Sequence, residues 1–458
     1  MMQIHLDLFL KSLFGQSGRP TVLANNLPNS LSQSLKSIEL LFKKTTPIIT
    51  QILERSIGGK DLSESQIINL FLTKGVDYEA LLTVGNFLRK QTVGDIITYV
   101  VNRNINFTNV CVKRCGFCAF SRTADSQEGY HLPLEEIVRR SVEAQNYGAS
   151  EVCIQAGLPP NMDGRYYIQL CRAIKKVIPN IHIHAFSPEE ILYGSKQSKM
   201  TIREYLKELK DAGIGSLPGT SAEILDDDLR KQISPGRIST TQWIEVITTA
   251  HSLEIPTSST LMYGHVETVK HSARHLLLLR DLQRTSGGFT EFVPLSFVHT
   301  EAPMFSHNNQ LGIKAGPSKS EVLKMHAIAR LVLNQDIPNI QVSWVKEGLV
   351  DSKECLNCGA NDLGGTLMNE SISTAAGSLH GQLVRPRDLR RMIRDIGRIP
   401  GSRSTLYKLI RRFDSPETDG EDPLDKLNSE EQKLLGSYHE LIKLDRFRFS
   451  SKKILSSA

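Results

Sequence analysis

Cys111-Val-Lys-Arg-Cys115-Gly-Phe-Cys118 gathers three of the chain's 7 cysteines into one short stretch. At this C-x3-C-x2-C spacing each thiolate can hold one iron of a cubane iron–sulfur cluster, which leaves a fourth iron without a protein ligand. An open iron can chelate the amino and carboxylate groups of S-adenosylmethionine. One electron then cleaves the S–C bond and yields a 5′-deoxyadenosyl radical. Phe117 supplies an apolar neighbour that helps to dry such a site. The competing chemistry is zinc, with His131 or a distant cysteine as fourth ligand. Cys355-Leu-Asn-Cys358 has the spacing of a second metal or redox pair, but it lacks a further partner nearby and reads as two ordinary cysteines. Cys153 and Cys171 read as core residues.

A loop of this kind needs rigid elements to hold it. Short apolar or β-branched runs alternate with amphipathic stretches of helical length, as parallel βα units do. Candidate strands lie at 106–110, 151–155, 181–186, 214–217, 257–263, 291–297, 340–344 and 360–363. Candidate helices lie near 133–147, 163–177, 201–211, 240–253, 268–285, 319–334 and 346–356. That count predicts a closed α/β barrel, with the cysteines following directly on the first strand at its C-terminal, catalytic end. Alternation within the strands sets Ile181, Ile183 and Ala185 against His182, His184 and Phe186. The inward set Gln155, His182, His184, Gln341 and Ser343 is polar. Such groups are costly in a dry core, so they predict a lumen that holds a polar substrate.

The remaining length falls outside the barrel. Residues 1–90 form an N-terminal extension and helical region, loosely held over 1–35; Gly58-Gly59 ends one helix and Ser63-Glu-Ser-Gln66 reads as a capping box for the next. The barrel occupies 91–365, a basic helical cap 366–412, and an acidic linker with a terminal helix and a Ser/Lys tail 413–458. The net charge of +6 is exceeded by the local surplus between residues 385 and 412, where ten Lys/Arg stand against Asp388 and Asp395. With three cysteines, this run admits a zinc-stapled nucleic-acid-binding protein as a different class of function. Hydrophobic residues make up 40%, which excludes a disordered chain. No apolar run is long enough to span a membrane, and the start lacks a basic n-region, so a reducing, cytoplasmic location is expected.

Tyr99-Val-Val-Asn-Arg-Asn-Ile-Asn-Phe-Thr-Asn-Val-Cys111, continuing to Phe120, resembles the radical S-adenosylmethionine enzymes of deazaflavin and futalosine biosynthesis. Further blocks narrow the likeness: His182-Ile-His-Ala-Phe-Ser-Pro-Glu-Glu190, Leu217-Pro-Gly-Thr-Ser-Ala-Glu-Ile-Leu225, Met262-Tyr-Gly-His265, Glu291-Phe-Val-Pro-Leu-Ser-Phe297 and Asn361-Asp-Leu-Gly-Gly-Thr366. Together they resemble the tyrosine-using subunit of FO synthase over residues 53–407. The resemblance implies a radical SAM (β/α)8-type barrel with one 4Fe-4S cluster on Cys111, Cys115 and Cys118. It implies S-adenosylmethionine contacts from Phe117, Gln155, Ala156, Gly157 and Glu223, with Ala156 standing where the family has glycine. It implies abstraction of hydrogen from L-tyrosine, cleavage of its Cα–Cβ bond and addition of the 4-hydroxybenzyl group to 5-amino-6-(D-ribitylamino)uracil. His182, His184, Asn361 and Asp362 are the substrate-side candidates. Implied partners are the two substrates, a second FO synthase radical subunit and a one-electron reductant, without nucleic acid or membrane. The alternative within this chemistry is an aminofutalosine synthase of the menaquinone route.

Overall fold

The computed structural model describes residues 29–306 and 312–450. The expected loose extension over 1–35 therefore lies mostly outside the described residues, as does the tail after 450. From Asn29 the chain is helical. Helices Asn29–Phe42, Pro47–Ile57, Glu64–Phe71 and Gly75–Val93 precede the first strand. Gly58 closes the second, and Ser63 with Gln66 forms the expected capping box on the third. Their apolar faces, among them Ile52, Leu53, Ile67, Leu70 and Leu81, are buried. Gly75–Val93 packs along the helix Lys319–Leu333 of the barrel's outer layer.

The strands are β1 Ile96–Val100, β2 Asn102–Ile105, β3 Glu151–Ile154, β4 His182–Ala185, β5 Thr257–Tyr263, β6 Phe289–Ser296, β7 Asp362–Gly365, β8 Ile399–Arg403 and β9 Leu409–Arg412. β1 and β2 are two halves of one barrel strand. From β2 the parallel pairing runs through Asn102↔Glu151 and Glu151↔His182, then through the short bridges His184↔Ser216 and Leu217↔Thr257. It continues from β5 to β6, through Phe292↔Ile340 and Gln341↔Asp362, and closes at Thr98↔Asp362. The ring is a closed eight-membered parallel barrel. Helices Leu134–Asn146, Tyr166–Val177, Ile202–Asp211, Thr240–Ser252, Val269–Ser286, Lys319–Leu333 and Trp344–Leu356 match the expected positions closely.

Several elements differ from the sequence reading. The first barrel strand lies at 96–105, not 106–110. Its second half is disguised by polar residues: Asn102 and Asn104 line the lumen, while Arg103 is fully buried and donates to Asn369 Oδ1 at 2.6 Å and Arg140 O at 3.1 Å. Residues 106–110 instead climb from that strand to the cysteines, so the cysteine loop does not follow directly on β2. Two short helices, Pro188–Gln197 and Asp227–Ile233, were not anticipated; the first opens with a Ser187/Glu190 capping box.

The basic segment is not a helical cap throughout. Ile372–Ala375 and Pro386–Asp395 are helical, but 399–412 is the β8–β9 hairpin, and β8 lies parallel to β1 through Ile96↔Ile399. Nor is 413–427 a free acidic linker. It folds back on the basic helix, where Arg394 holds Asp419 through two bonds of 2.6 and 2.7 Å and Arg390 holds Asp425 at 3.0 Å. Leu424 and Leu427 are buried beneath these pairs. After the helices Ser429–Leu434 and Tyr438–Leu441, the chain runs beside the segment that follows the cysteines. There His131 N donates to Phe447 O at 2.8 Å and Phe449 N to Gly129 O at 2.9 Å. Among the described residues no helix is long and apolar enough to cross a membrane.

Candidate functional site

The cysteine loop sits at the C-terminal mouth of the barrel, clamped by backbone bonds from three directions. Val112 N donates to Leu158 O at 2.8 Å, Gly116 N to Ile233 O at 2.8 Å, and Met304 N to Gly116 O at 2.7 Å. A side chain at position 116 would meet Met304 Cβ at 2.9 Å, which explains the glycine between the second and third cysteines. Cys111, Cys115 and Cys118 line one cavity of about 400 Å³. Burial pushes the Cys115 thiol up to about 12, while the Arg237 guanidinium pulls it down. Among the described residues no three His, Cys, Asp or Glu side chains gather round a single point as a one-ion site requires. A cubane makes a different demand, one thiolate for each of three irons. His131, the candidate fourth zinc ligand, packs instead against Phe107 and Tyr166 at centroid distances of 5.7 and 5.5 Å.

Beside the loop, Arg237 is the organising charge. It donates to Glu223 Oε1 at 2.9 Å and Ser221 Oγ at 2.6 Å, and lies 5.7 Å from the Phe117 ring. Glu189 approaches the same guanidinium at 3.4 Å, accepts from Ile238 N at 2.7 Å and pairs with Lys113 of the cysteine loop at 3.3 Å. Glu223 stands in the left-handed region, at φ 37°, in a turn whose Ser221 is at φ 61°. Non-glycine residues hold that conformation only where the surroundings enforce it. Its Oε2 atom is buried without a hydrogen-bond partner, with Arg230 Nη1 at 3.6 Å. Buried carboxylate oxygens rarely stay unmet, so this one is suited to a hydroxyl or ammonium of a bound group. Across the mouth, a Cβ on Gly157 would strike Val110 O at 2.3 Å, so glycine lets this segment pass under the cysteine loop. Ala156 needs no glycine: its N–H is already given to Glu190 Oε1 at 3.0 Å. Gln155 accepts from Thr220 Oγ1 at 2.8 Å, joining the two segments that flank the mouth.

Below the mouth the lumen is polar, as the alternation predicts. Ser258 and Thr260 of β5, Glu291 of β6, Gln341 and Ser343 all line it. The four substrate-side candidates separate, however. His184 lines the cavity. Its Nδ1 is 2.7 Å from Ser216 Oγ, which leaves Nε2 for the lumen, and burial depresses its pKa so that the ring is neutral. His182 lies one layer deeper, its Nε2 2.7 Å from the same hydroxyl and its ring filling the space left by Gly215. Asn361 is structural: its Oδ1 accepts from Arg330 Nη2 and Ile340 N, both at 2.8 Å. Asp362 belongs to the barrel floor. There Arg403 of β8 grips it at 2.5 and 2.8 Å and Thr98 Oγ1 donates at 2.5 Å. The glycines of this motif are also packing features: a Cβ on Gly365 would meet the Asn102 side chain at 2.0 Å.

The floor itself was not visible in the sequence. Arg403 stacks 3.9 Å above the Tyr407 ring, and Tyr407 donates to Glu291 Oε2 at 2.5 Å. Burial pushes the Glu291 carboxyl up to about 7, against the pull of Arg403. The β8–β9 turn thus closes the lower end of the barrel with a hydrogen-bonded, charged plug. Cys153, read as core, also faces the lumen, with Gln155 Nε2 3.7 Å from its sulfur. Cys355 and Cys358 are buried away from the site, and Cys358 gives its thiol hydrogen to Leu323 O at 3.5 Å. Arg237 and Arg403 carried no local signal; each was one basic residue among 55.

Comparison with known proteins places this geometry. The model of the radical SAM superfamily matches residues 105–279, and that of the CofH/MqnC C-terminal region matches residues 286–415. The 5-amino-6-(D-ribitylamino)uracil--L-tyrosine 4-hydroxyphenyl transferase of Methanocaldococcus jannaschii is 46% identical over 354 residues, 77% of this chain and 98% of that protein. Its counterpart from Methanothermobacter thermautotrophicus is 46% identical over 360 residues, 79% of this chain and 97% of that one. The FO synthase of Nocardia farcinica is 44% identical over 363 residues, 79% of this chain but 41% of that longer protein. Among solved structures, methylornithine synthase (PylB) aligns with a TM-score of 0.60 at 17% identity, covering 76% of this chain and 97% of that one. The FeFe-hydrogenase maturase HydG from Carboxydothermus hydrogenoformans aligns with a TM-score of 0.61 at 15% identity, covering 93% and 97%. These two share the barrel fold.

Proposed function

This chain belongs to the radical SAM superfamily and, within it, to the family of 5-amino-6-(D-ribitylamino)uracil--L-tyrosine 4-hydroxyphenyl transferases; from that premise we infer how its own residues serve the reaction. The enzyme breaks the Cα–Cβ bond of L-tyrosine and joins the 4-hydroxybenzyl group to 5-amino-6-(D-ribitylamino)uracil, on the way to the deazaflavin FO. One observation carries the reading: the three-cysteine loop and the polar lumen line a single cavity.

The donor set fits a 4Fe-4S cluster with S-adenosylmethionine beside it. Cys111, Cys115 and Cys118 would hold three of the irons, and the thiolates face the buried cation Arg237. Glu223 Oε2, which accepts no hydrogen bond and has Arg230 Nη1 at 3.6 Å, would take a ribose hydroxyl or the ammonium of S-adenosylmethionine. Phe117 and the Gln155–Gly157 segment border the same space. When bound, this pair supplies one-electron cleavage of the sulfonium and a primary radical able to take hydrogen from tyrosine.

The rest falls to side chains of the barrel. Gln341, Ser343, Ser258 and Thr260 offer donors and acceptors to a ribityl chain and a diaminouracil, holding them in attack geometry beside the tyrosine fragment. With Nδ1–H donated to Ser216 Oγ, the neutral His184 ring leaves Nε2 free to accept the proton that the adduct must lose. The plug at Arg403, Tyr407 and Glu291 closes the end remote from the cysteines, which protects a reactive fragment from water. A one-electron reductant, and a second radical subunit that completes the ring, are the partners this reaction requires.

Anaerobically reconstituted protein, given reductant, S-adenosylmethionine, tyrosine and the ribityl-diaminouracil, should form 5′-deoxyadenosine in a tyrosine-dependent manner, with the adduct detected by mass. The enolpyruvyl-ether nucleoside used by aminofutalosine synthases should not replace tyrosine. Deoxyadenosine formation no faster with tyrosine than without it contradicts the assignment.

A further inference from the structure

L-Tyrosine brings a carboxylate into a cavity already rich in carboxylates, and a buried anion needs a cation of its own. Lys113, Arg237, Arg403 and Lys346 are the Lys and Arg side chains on the cavity wall. Three of them are committed. Lys113 pairs with Glu189 at 3.3 Å, Arg237 with Glu223 at 2.9 Å, and Arg403 with Asp362 at 2.5 Å.

Lys346 is different. Among the described residues its Nζ has no hydrogen-bond acceptor and no ion-pair partner. The carboxylates that influence it are Glu370 and Glu347, neither within ion-pair distance, and each accepts hydrogen bonds from other groups. Glu370 accepts from Ser373 N at 2.8 Å and Thr374 N at 3.2 Å; Glu347 accepts from Ser296 Oγ at 2.5 Å. The backbone under Lys346 is fixed by its N–H bond to Ser343 O at 3.0 Å. Burial draws the ammonium below its ordinary pKa, against the opposing pull of Glu370 and Glu347.

Position agrees with charge. Lys346 follows the barrel segment at 340–341, on the arc of the ring facing β4, whereas Gln155 and Glu223 follow β3 and the 216–217 bridge. Val345 and Ile372 line the same cavity, and Val293 and Leu295 of β6 with Phe297 just beyond it form an apolar track along its wall. A cation next to an apolar track suits an aromatic amino acid: the head group on one, the ring along the other.

We propose that Lys346 anchors the carboxylate of L-tyrosine. This rests on tyrosine being the substrate. Cleavage of Cα–Cβ leaves the carboxylate and Cα together as 2-iminoacetate, so the same ammonium holds the departing two-carbon fragment while the hydroxybenzyl group moves to the uracil. Lys346 forms no covalent bond; it positions.

The test uses reconstituted holoenzyme with S-adenosylmethionine and titrates tyrosine and tyramine, which lacks the carboxylate, by calorimetry without reductant. Lys346→Met should weaken tyrosine binding by about tenfold or more, the loss expected on removing one partner of a buried charge pair. Tyramine should bind wild type and variant alike, and Lys346→Arg should recover part of the tyrosine affinity. In turnover, Lys346→Met should raise KM for tyrosine and leave KM for the ribityl-diaminouracil unchanged. Unaltered tyrosine affinity in Lys346→Met, or an equal loss for tyramine, would overturn the anchor while leaving the substrate assignment standing. Wild-type protein that does not bind tyrosine would overturn both. Should Lys346→Met fail to fold, wild type alone decides: equal affinity for tyrosine and tyramine removes the need for a carboxylate anchor.

Discussion

At the scale of single residues, chemistry and architecture divide a list that looked uniform in the sequence. Cys111, Cys115 and Cys118 were legible because their spacing is itself the signal. His182 and His184 share a motif and a strand face, yet only the second reaches the lumen, since a β-strand advances about 3.3 Å per residue and two positions span a layer of the barrel. Asn361 and Asp362 are polar for reasons of assembly, meeting Arg330 and Arg403 respectively. Arg237 and Lys346 gave no sign of themselves, because what marks them is the presence or absence of a neighbour brought in by the fold. The division predicts opposite behaviour for two cysteines. Cys115→Ala should lose nearly all reconstituted iron, whereas Cys355→Ala, altering a thiol in the core beside Cys358, should keep wild-type iron. Iron per chain and absorbance near 400 nm measure both. Iron lost from the second variant would mean that the pair takes part in metal binding.

At the scale of elements, βα alternation located the outer helices to within three residues and missed the first strand. The miss has a physical cause: a strand whose inner face lines a polar cavity and whose outer face holds a buried arginine loses the apolar pattern by which strands are recognised. The β8–β9 hairpin was hidden for a related reason. Its arginines read as a basic helical surface, but Arg403 points into the barrel and Arg411 and Arg412 remain outside. If this hairpin is a plug held by Arg403 and Asp362, then Arg403→Met strands a buried carboxylate. The expected loss is about 3–5 kcal/mol of unfolding free energy in urea. Adding Asp362→Asn removes the stranded charge and should recover at least about 1 kcal/mol. A neutral single variant would contradict the plug.

For the molecule as a whole, the barrel and its chemistry were readable in advance, while the ends were not. The acidic stretch after residue 412 has the composition of a linker, and only its proximity to Arg390 and Arg394 turns it into a packed layer. That pairing meets the charge of Arg390 and Arg394 within the chain. The C-terminal segment then buttresses 129–131, just beyond the cysteine loop. Barrel, plug and C-terminal layer thus frame one cavity where the three cysteines and the polar lumen meet. The central claim is that this cavity breaks tyrosine between Cα and Cβ and passes on the larger fragment. Turnover with tyrosine carrying carbon-13 at Cβ, and separately at Cα, tests it most directly. The Cβ label should appear in the ribityl-uracil adduct and the Cα label in glyoxylate, the hydrolysis product of 2-iminoacetate. Both labels in the adduct, or both left in unreacted tyrosine while deoxyadenosine accumulates, would contradict it.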